Sequence, residues 1–535
     1  MAENSEENQP RSGFQKSETS SVQVVHYAQG GDPVIYGASG AMDFKGRYRQ
    51  DSDHAIIAVN TAKTLEGAGQ FSVQLKPAKG VSDTILDRVV DDDWIDIVFK
   101  RHDRVWHTMR GTVDRVSRSR AVAGSGATSW IYSISGRDFQ KIWEMTPLWF
   151  NRLALENVEG GWAYKIYSQI PNLGGDPSNV VQAFLQGWFE ALGNAGRVNW
   201  VMPATIPNTK GNFLDDIKAG WNVSGFSGVP KRKAIDPNLM NPSGTLWTLA
   251  KGWSDPAFCE LFCDLGKQGV ALGPNDVLDI NDSTMSVFFR DRPFPFSLNV
   301  QDDTGAPPAG LQLGLNSAWF QLPLHIVNRQ EIVSDEVSRD GSERMNAYFV
   351  SPQIQQDLLG AGGMDMTQPL WDPDDIIRHG LRRYDINTCY KTDAGTLLLL
   401  SVTQRYMLLN WYAMNPYLLS GTISLGHGRP DIHVGTRIRI PGEGGDTTLD
   451  ETYYVEGVNH SWSMGPGIRT TLQVTRGFIG DDNALIQAIT NATANYKVPT
   501  VGDATTFESS RITVPVPYAG STTAGSGQAG KVSAG

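Results

Sequence analysis

Cysteine is the first residue type in this sequence that could carry chemistry. Cys259 and Cys263 are four residues apart, a spacing that places two thiols on one face of a helix and could supply half of a zinc site. No second Cys-x-x-Cys and no nearby histidine pair completes a set of four ligands. We therefore expect free, buried thiols on a helix. Three cysteines in 535 residues also exclude a disulfide-stapled scaffold.

Histidines form two close pairs among the nine in the chain. His102 and His107 flank a predicted hairpin, where we expect a solvated position. His427 and His433 span a Gly-Arg-Pro turn that could bring two imidazoles near a metal ion. Neither pair has an evident third ligand, so the sequence predicts no metal site.

Carboxylates cluster at three places. The run Asp91, Asp92 and Asp93 could hold a cation or a partner, but three acids before a strand more often form a solvated turn. Two further groups lie in loops, namely Asp215 with Asp216, and Asp372 with Asp374 and Asp375. A catalytic pair of carboxylates depends on a distance in space that sequence does not supply.

Motifs that mark common catalytic and cofactor sites are absent from the sequence. The chain has no Gly-x-Ser-x-Gly, no phosphate-binding P-loop, no His-Glu-x-x-His, and no Gly-x-Gly-x-x-Gly that opens a helix after a strand. The sequence therefore predicts a protein that is not an enzyme, with no catalytic residue and no cofactor.

Composition limits the remaining classes of function. Acids outnumber bases by 57 to 46, and the net charge of −11 argues against a surface that grips nucleic-acid phosphates. Apolar residues make up 40%, which excludes wholesale disorder. Residues 1–9 lack the basic and apolar stretches of a signal peptide, and the most apolar stretch, 396–414, is interrupted by polar residues. We therefore expect synthesis in a reducing cytoplasm and no membrane span.

The elements that would position these residues are mainly strands. Apolar and polar residues alternate over 71–75, 95–99 and 130–134, which predicts an antiparallel barrel or sandwich between about Val24 and Ile142. Further strands are predicted at 284–290, 331–337, 431–440, 452–463 and 468–475. Helices are predicted at 180–192, 245–265, 397–411 and 483–491.

Four segments carry a resemblance to a known family. The first joins Asp-Trp-Ile-Asp-Ile at 93–97 and Gly-Thr-Val-Asp at 111–114 to Ser-Gly-Arg-Asp at 135–138. The second joins Leu-Trp at 246–247 and Asp-Pro-Ala-Phe-Cys-Glu-Leu at 255–261 to Val-Phe-Phe-Arg at 287–290 and Arg-Pro-Phe at 292–294. The third is Gly-Leu-Arg at 380–382. The fourth and most specific joins Tyr-Tyr-Val-Glu-Gly-Val-Asn-His-Ser at 453–461 to Thr-Thr-Leu-Gln-Val-Thr-Arg-Gly at 470–477.

Taken in order, these segments resemble the hub proteins at the tip of a bacteriophage tail, the family that includes late control protein D and the baseplate hubs of contractile tails. The resemblance implies an α+β, mainly β chain with two antiparallel β-barrel-like tube domains and helical and loop insertions. It also implies a trimer whose barrels form a pseudo-sixfold ring. That ring would adapt the sixfold tail tube to the threefold central spike around a channel.

The expected organisation of the chain has seven parts. They are a polar N-terminal arm at 1–22, a first barrel at 23–145, a helical insertion at 146–270, a strand-rich part of the second barrel region at 271–350, a loop and helix insertion at 351–420, closing strands of the second barrel at 421–480, and a short helix with a flexible tail at 481–535. The excursions 194–241, 305–321 and 351–373 match no motif of the family.

The resemblance also implies partners and a location. The partners would be two further copies of the chain, the tail tube protein, the central spike protein, the tape-measure protein and other baseplate proteins, with DNA only in transit. The protein would reside at the tail tip of the virion after assembly in the cytoplasm of the bacterial host. Candidate contacts to neighbouring subunits or the tube lie on polar strand faces, at Trp106, Arg110, Arg437, Arg439, Arg469 and Gln473.

Two alternatives remain open at the level of sequence. One is a tail-associated enzyme that degrades the cell wall, with its carboxylates in the unmatched loops. The other is the equivalent hub of a bacterial contractile injection system, through which no genome passes. The acidic balance also leads to a hypothesis, in which a negatively charged channel wall repels DNA and lets it slide.

Overall fold

The structure is a computed structural model, and the part of the chain that it describes is discontinuous. The described residues are 20–28, 33–37, 49–51, 53–78, 85–101, 104–122, 128–146, 181–182, 185–186, 221–224, 233–234, 244–254, 256–266, 270–271, 284–293, 318–352, 370–388, 390–391, 408–409, 411–493 and 496. The excursion 194–241, the loops 305–321 and 351–373, the predicted helices 180–192 and 397–411, and the tail lie wholly or mostly outside them.

The strands of the first third of the chain are β1 (Ser21–Tyr27), β2 (Val34–Gly37), β3 (Arg49–Gln50), β4 (His54–Thr64), β5 (Gln70–Pro77), β6 (Trp94–Arg101), β7 (Arg104–Val122) and β8 (Thr128–Asp138). Two short helices accompany them, α1 (Ile85–Arg88) and α2 (Lys141–Met145). The alternating segments predicted at 71–75, 95–99 and 130–134 all lie in strands, which confirms those predictions.

The middle of the chain contributes β9 (Trp221–Ser224), β10 (Lys233–Ala234), α3 (Leu246–Trp253), β11 (Cys259–Gly266), β12 (Val270–Ala271), β13 (Thr284–Asp291), α4 (Ala318–Gln321), β14 (Leu324–Ile326), β15 (Ile332–Ser338), β16 (Ala347–Pro352), β17 (Leu370–Trp371), α5 (Pro373–His379), β18 (Arg383–Thr388) and β19 (Tyr390–Lys391). The last part contributes β20 (Leu419–Leu425), β21 (Arg437–Ile440), β22 (Glu451–Ser463), β23 (Gly467–Ile479) and α6 (Asp482–Thr493). Short 3₁₀ turns lie at Arg329–Glu331, Gly341–Glu343, Asn415–Tyr417, Glu443–Gly445 and Thr447–Leu449.

Fifteen of the described strands form one sheet, and its pairing is mainly antiparallel. The main path runs β15-β20-β23-β22-β4-β5-β8-β7-β6-β1-β2-β3. Off this path, β21 pairs with β22, β14 pairs with β21, and β12 pairs with β7. We call β1–β8 the N-terminal half of the sheet and β14, β15 and β20–β23 the C-terminal half. The described chain is therefore mainly antiparallel β-sheet with few helices, as expected for the fold class.

The two halves meet at a seam between β4 and β22. These strands pair antiparallel from Gly457 opposite Thr64 to Ser463 opposite Ala58. Each half has its own apolar core. The N-terminal core includes Val73 and Ile97, while the C-terminal core includes Ile438.

A third core lies between helices and two smaller three-stranded sheets, β11-β13-β9 and β17-β16-β18. Its largest members are tryptophans that include Trp143 and Trp247, whose ring centroids are 6.1 Å apart. This core packs the helical part of the chain against both halves of the sheet. None of the described helices is long and apolar enough to span a membrane.

The helix predicted over 245–265 is wrong in its second part. Helix α3 ends at Trp253, and Cys259–Gly266 form strand β11, which pairs with β13. The segment is apolar at both spacings, because residues 258, 261, 262 and 265 fit a helix whereas 259, 261, 263 and 265 fit a strand. Pro256 ends the helix, and pairing with β13 selects the strand. Cys259 and Cys263 are buried thiols, as expected, but on a strand.

Candidate functional site

The seam is reinforced by a buried ionic network that links three parts of the chain. Lys63 on β4 lies with its Nζ 2.7 Å from Asp264 Oδ1 on β11. His433, in the loop before β21, lies with Nδ1 3.2 Å from the other oxygen, Asp264 Oδ2. Burial alone would raise the pKa of Asp264, but the charges of Lys63 and His433 hold it well below its usual range. The carboxylate therefore stays ionised and connects β4, β11 and the C-terminal half.

A second buried cluster joins the β11–β13 sheet to β22. Arg290 on β13 donates from Nε to Glu260 Oε2 on β11 at 2.9 Å and from Nη2 to the Gly435 carbonyl at 2.9 Å. Tyr454 on β22 donates its hydroxyl to Glu260 at 2.7 Å and accepts from Arg290 Nη2 at 3.0 Å. Glu260 and Arg290 belong to the second segment that carries the family resemblance, and Tyr454 belongs to the fourth. The structure therefore brings those motifs together as one structural cluster.

A third cluster lies under the N-terminal half. Arg110 on β7 forms a two-pronged ion pair with Asp96 on β6, through Nε at 2.8 Å and Nη2 at 3.0 Å. His107 Nε2 lies 3.0 Å from the same carboxylate, and the Tyr27 hydroxyl donates to it at 2.9 Å. Burial opposes the charged form, yet Arg110 and His107 hold the pKa of Asp96 far below its usual range.

The Gly-Arg-Asp motif at 136–138 closes β8 and begins helix α2. Gly136 has no room for a side chain, because a Cβ there would lie 2.0 Å from the Thr112 carbonyl oxygen. Arg137 pairs with Asp114 at 2.8 Å, and Asp138 accepts from the Gln140 amide at 3.1 Å. Burial raises the pKa of Asp138 to about 7, while nearby Lys63 acts in the opposite direction. The motif is structural in each of its three positions.

The Gly-Leu-Arg motif at 380–382 has an equally local role. Gly380 ends α5 with φ at +78°, in the left-handed region that favours glycine, and its amide donates to the Ile376 carbonyl at 2.8 Å. The Arg382 amide donates to Asn346 Oδ1 at 2.7 Å, which leads the chain into β18 beside β16. These contacts fix a turn.

Three of the six candidate contact residues are not on an accessible strand face, and their expected position there is wrong. Trp106, Arg110 and Arg437 are 6%, 2% and 3% exposed. Arg110 is turned inward by its ion pair with Asp96. Arg437 is turned inward by the rings of Trp319 and Phe320, each centred 5.5 Å from its guanidinium carbon.

The other three candidate contact residues are accessible, and their role at an interface stays a prediction. Arg439 is half-buried and pairs with Asp450 through Nε at 2.7 Å. Arg469 and Gln473 are exposed on the polar face of β23, where alternation places them. Strand β23 is therefore the strand on which candidate contact residues are exposed.

The other chemistry-bearing residues also have structural positions. Asp91 and Asp92 are exposed in the turn before β6, but Asp93 is buried and lies 2.8 Å from His26 Nε2, so its expected solvated position is wrong. His107 is buried against Asp96 and not on a solvated surface. No group of three His, Cys, Asp or Glu suited to a metal ion occurs among the described residues.

The loop carboxylates at 372–375 serve helix α5. Asp372 caps the helix by accepting from the amides of Asp374 at 2.9 Å and Asp375 at 3.1 Å. Asp375 accepts from Asn346 Nδ2 at 3.0 Å and from Arg344 at 2.5 Å. Asp215 and Asp216 lie outside the described residues, as does His102.

A feature that the sequence reasoning missed is a two-stranded arm. Strand β7 pairs with β6 only up to Thr112, and β8 pairs with β5 only from Tyr132 onward. In the arm, 115–118 therefore lie at an edge of the sheet, and 119–122 with 128–131 extend beyond it as a ribbon. The arm carries exposed Arg115, Arg118 and Arg120, and the last two lie over exposed Trp130 with guanidinium carbons 4.5 and 5.5 Å from the ring centre. The basic run at 115–120 was the signal that could have found it.

Comparison with known proteins gives distant structural likenesses. No protein-family model matches the chain, and no curated protein matches it. Among solved structures, the chain is similar to a tail protein from Neisseria meningitidis, at 13% identity and TM-score 0.44 over 85% of this chain and 96% of that one. It is also similar to a prophage MuSo2 tail protein from Shewanella oneidensis, at 12% identity and TM-score 0.44 over 85% and 98%.

A third similar structure is an Escherichia coli component of the type VI secretion system. Its identity to this chain is 9% and the TM-score is 0.37, over 82% of this chain and 76% of that one. That component is described as structurally similar to the bacteriophage T4 tail proteins gp27 and gp5. All three likenesses are distant and identify no function for this chain.

Proposed function

We propose that this protein is a structural hub at the tip of a phage tail, a trimer that adapts the sixfold tube to the threefold spike. The observation that carries the proposal is the two-half sheet. Each half has its own apolar core, and both belong to one continuous sheet through the β4–β22 seam. Three such chains in a ring would supply six sheet halves, which is the number that a sixfold tube requires.

The buried networks support the same role. A ring that carries load between tube and spike needs its two sheet halves held at a fixed angle. Lys63, Asp264 and His433 connect the two halves, and Arg290 with Glu260 and Tyr454 fastens the smaller β11–β13 sheet to the C-terminal half. Charged groups that are buried and paired specify one arrangement, because separating them leaves a charge without a partner.

We also propose that the hub has no catalytic activity. The carboxylate of Asp372 caps helix α5 and that of Asp375 forms an ion pair, which supports a structural role for that loop. A zymogram on peptidoglycan tests the alternative of a wall-degrading enzyme. A cleared zone that disappears on substitution of one loop carboxylate would replace our proposal with the enzymatic one.

The ring itself is tested by the mass of the full-length chain in solution and by a reconstruction of the particle tip. We expect size-exclusion chromatography with light scattering to give three times the 58.6 kDa of one chain, and the map to place the trimer between tube and spike. A stable monomer that is absent from the particle would contradict the proposal. Neighbouring genes for a capsid and a terminase would separate a phage from a contractile injection system.

The acidic balance gives the proposed channel a further property. With a net charge of −11, a channel wall of the same sign would repel DNA phosphates and let the genome slide past. The reconstruction tests this as well. A lumen lined mainly by lysine and arginine would contradict it.

A further inference from the structure

A cleft of about 760 Å³ lies beside the C-terminal half of the sheet. Its floor is the polar face of β20, β22 and β23, with Thr422, Glu456, Gln473 and Thr475. One wall is the turn Gly341–Glu343, and another is formed by the residues around Tyr412 and Asn415. Two arginines, Arg292 and Arg476, also line the cleft.

Arg476 is held in a constrained position. Its backbone φ of +57° lies in the left-handed region, which is uncommon for a residue with a side chain. Its guanidinium carbon lies 3.8 Å from the centre of the Trp411 ring, and Nη1 donates to Asn415 Oδ1 at 2.9 Å and to the Trp411 carbonyl. Its Nε is buried and has no hydrogen-bond partner. Burial lowers the pKa of Arg476 to about 10, so the side chain is still cationic at neutral pH.

Arg292 packs against the same Trp411 ring and, like Arg476, has an Nε without a hydrogen-bond partner. Its guanidinium carbon lies 5.5 Å from the centre of the Trp411 ring, and Nη2 donates to the Pro256 carbonyl at 2.7 Å. Its Nε is also buried without a partner. Within the described part of the chain, neither arginine has a carboxylate oxygen within the 4.0 Å of an ion pair.

The acids that face the cleft narrow the choice of ligand. Glu456 is half-buried and accepts from the Thr475 hydroxyl at 2.9 Å, while Asp340 and Glu343 are exposed at the turn. These acids would repel a nucleic-acid backbone, which carries a charge at every nucleotide. An extended peptide with one carboxylate avoids them, and the hydroxyl and amide groups of the floor offer hydrogen bonds to its backbone.

We propose that this cleft binds a polypeptide segment with an acidic side chain, whose carboxylate accepts hydrogen bonds from Arg292 and Arg476. Guanidinium groups match a carboxylate in geometry and form strong, charge-assisted hydrogen bonds with it. The volume of the cleft accommodates several side chains in addition to that carboxylate. The inference concerns one chain and does not rest on the proposed ring.

The test uses the full-length protein and a fluorescein-labelled peptide with a single Glu among uncharged polar residues, followed by fluorescence anisotropy at low salt. The matched probe has Gln in place of that Glu, and an oligothymidine serves as the phosphate probe. We expect the acidic peptide to bind and its amide counterpart to bind at least about tenfold more weakly, as for a lost charged hydrogen bond. Arg292→Gln and Arg476→Gln should weaken binding of the acidic peptide to a similar extent.

Two further variants make the test specific to the cleft. Arg469→Gln removes an exposed arginine on the same strand outside the cleft and should leave binding unchanged. Glu343→Gln removes an exposed acid at the cleft and should tighten binding without disturbing the packing of Arg476 on Trp411. Equal binding of the two peptides, an equal loss in Arg469→Gln and Arg292→Gln, or no tightening in Glu343→Gln would overturn the proposal. Tighter binding of the oligothymidine would assign the cleft to phosphate instead.

Discussion

At the scale of single residues, the charged groups of this protein are notable for where they are buried. Arg110 and Asp96 are both almost fully buried, and so are Lys63 and Asp264. Ion pairs in such positions contribute little net stability relative to apolar residues of the same size, but removing one partner is costly. Their effect is therefore to specify one arrangement of strands.

We predict that Arg110→Ala lowers the free energy of unfolding by about 3–5 kcal/mol. The substitution leaves the carboxylate of Asp96 buried with His107 and Tyr27 as its remaining described partners. Chemical denaturation followed by tryptophan fluorescence measures the change. Arg469→Ala, on an exposed strand face, should alter the free energy of unfolding by less than about 0.5 kcal/mol. Equal effects of the two substitutions would contradict the structural role of Arg110.

We predict that the difference in free energy of unfolding between the natural chain and the Asp138→Asn variant depends on pH. Burial raises the pKa of Asp138 from 3.8 to about 7, so the folded chain retains a proton that the unfolded chain has already lost. The stability of the natural chain relative to the variant should therefore fall as pH rises from about 4 to about 7, and stay level above that. A shift of about three pKa units limits this fall in the relative free energy of unfolding to about 4 kcal/mol. Denaturation curves at several pH values measure it, and a difference that does not change with pH would contradict it.

At the scale of single elements, the sequence predicts strands well where one face is polar. In β23, residues 468, 470, 472 and 474 are buried and alternate with polar neighbours, so the period of two was visible in the sequence. Strand β11 is buried on both faces, and its apolar residues fit a helix equally well. Pairing with β13, which is distant in sequence, selects the strand over the helix. The local pattern therefore predicts a helix where a strand forms.

We predict that Gly136→Ala destabilises the protein by about 3 kcal/mol. The added Cβ would lie 2.0 Å from the Thr112 carbonyl oxygen and 2.6 Å from Cζ of Phe71, and both belong to the packed sheet. Gly252→Ala is the matched control, because it lies in helix α3 with no atom within 4 Å of the new Cβ. Alanine there should stabilise the helix by up to about 1 kcal/mol. Thermal denaturation of both variants distinguishes close packing from a general intolerance of alanine.

At the scale of the whole molecule, the seam was beyond prediction from the residues alone. Thr61 and His460 meet across it although they are 399 positions apart, and no local pattern specifies that pairing. The family resemblance implied two β domains but not their edge-to-edge union. The same limit explains why three of the six candidate contact residues are buried. Alternation identifies the two faces of a strand, but it does not show which polar residues are turned inward by a buried partner.

The arm of β7 and β8 provides the last prediction, which concerns assembly. Arg115 is exposed at the edge of the sheet and Arg120 on the ribbon that extends beyond it, while the chain as a whole carries a net charge of −11. In the proposed ring, an arm of this charge is attracted to the acidic surface of the next subunit.

Replacing both arginines by glutamate should raise the dissociation constant of the trimer by about tenfold or more at low salt, with the thermal midpoint of the chain unchanged. Sedimentation velocity measures the association, and Lys76→Glu with Arg339→Glu is the control, since it reverses two exposed charges away from the arm and from the candidate contact face of β23. If the arm variant associates as strongly as the control, the arm lies outside the subunit interface. If the natural chain is itself a monomer, the ring is contradicted, and the cleft at Arg292 and Arg476 remains to be judged by its own assay.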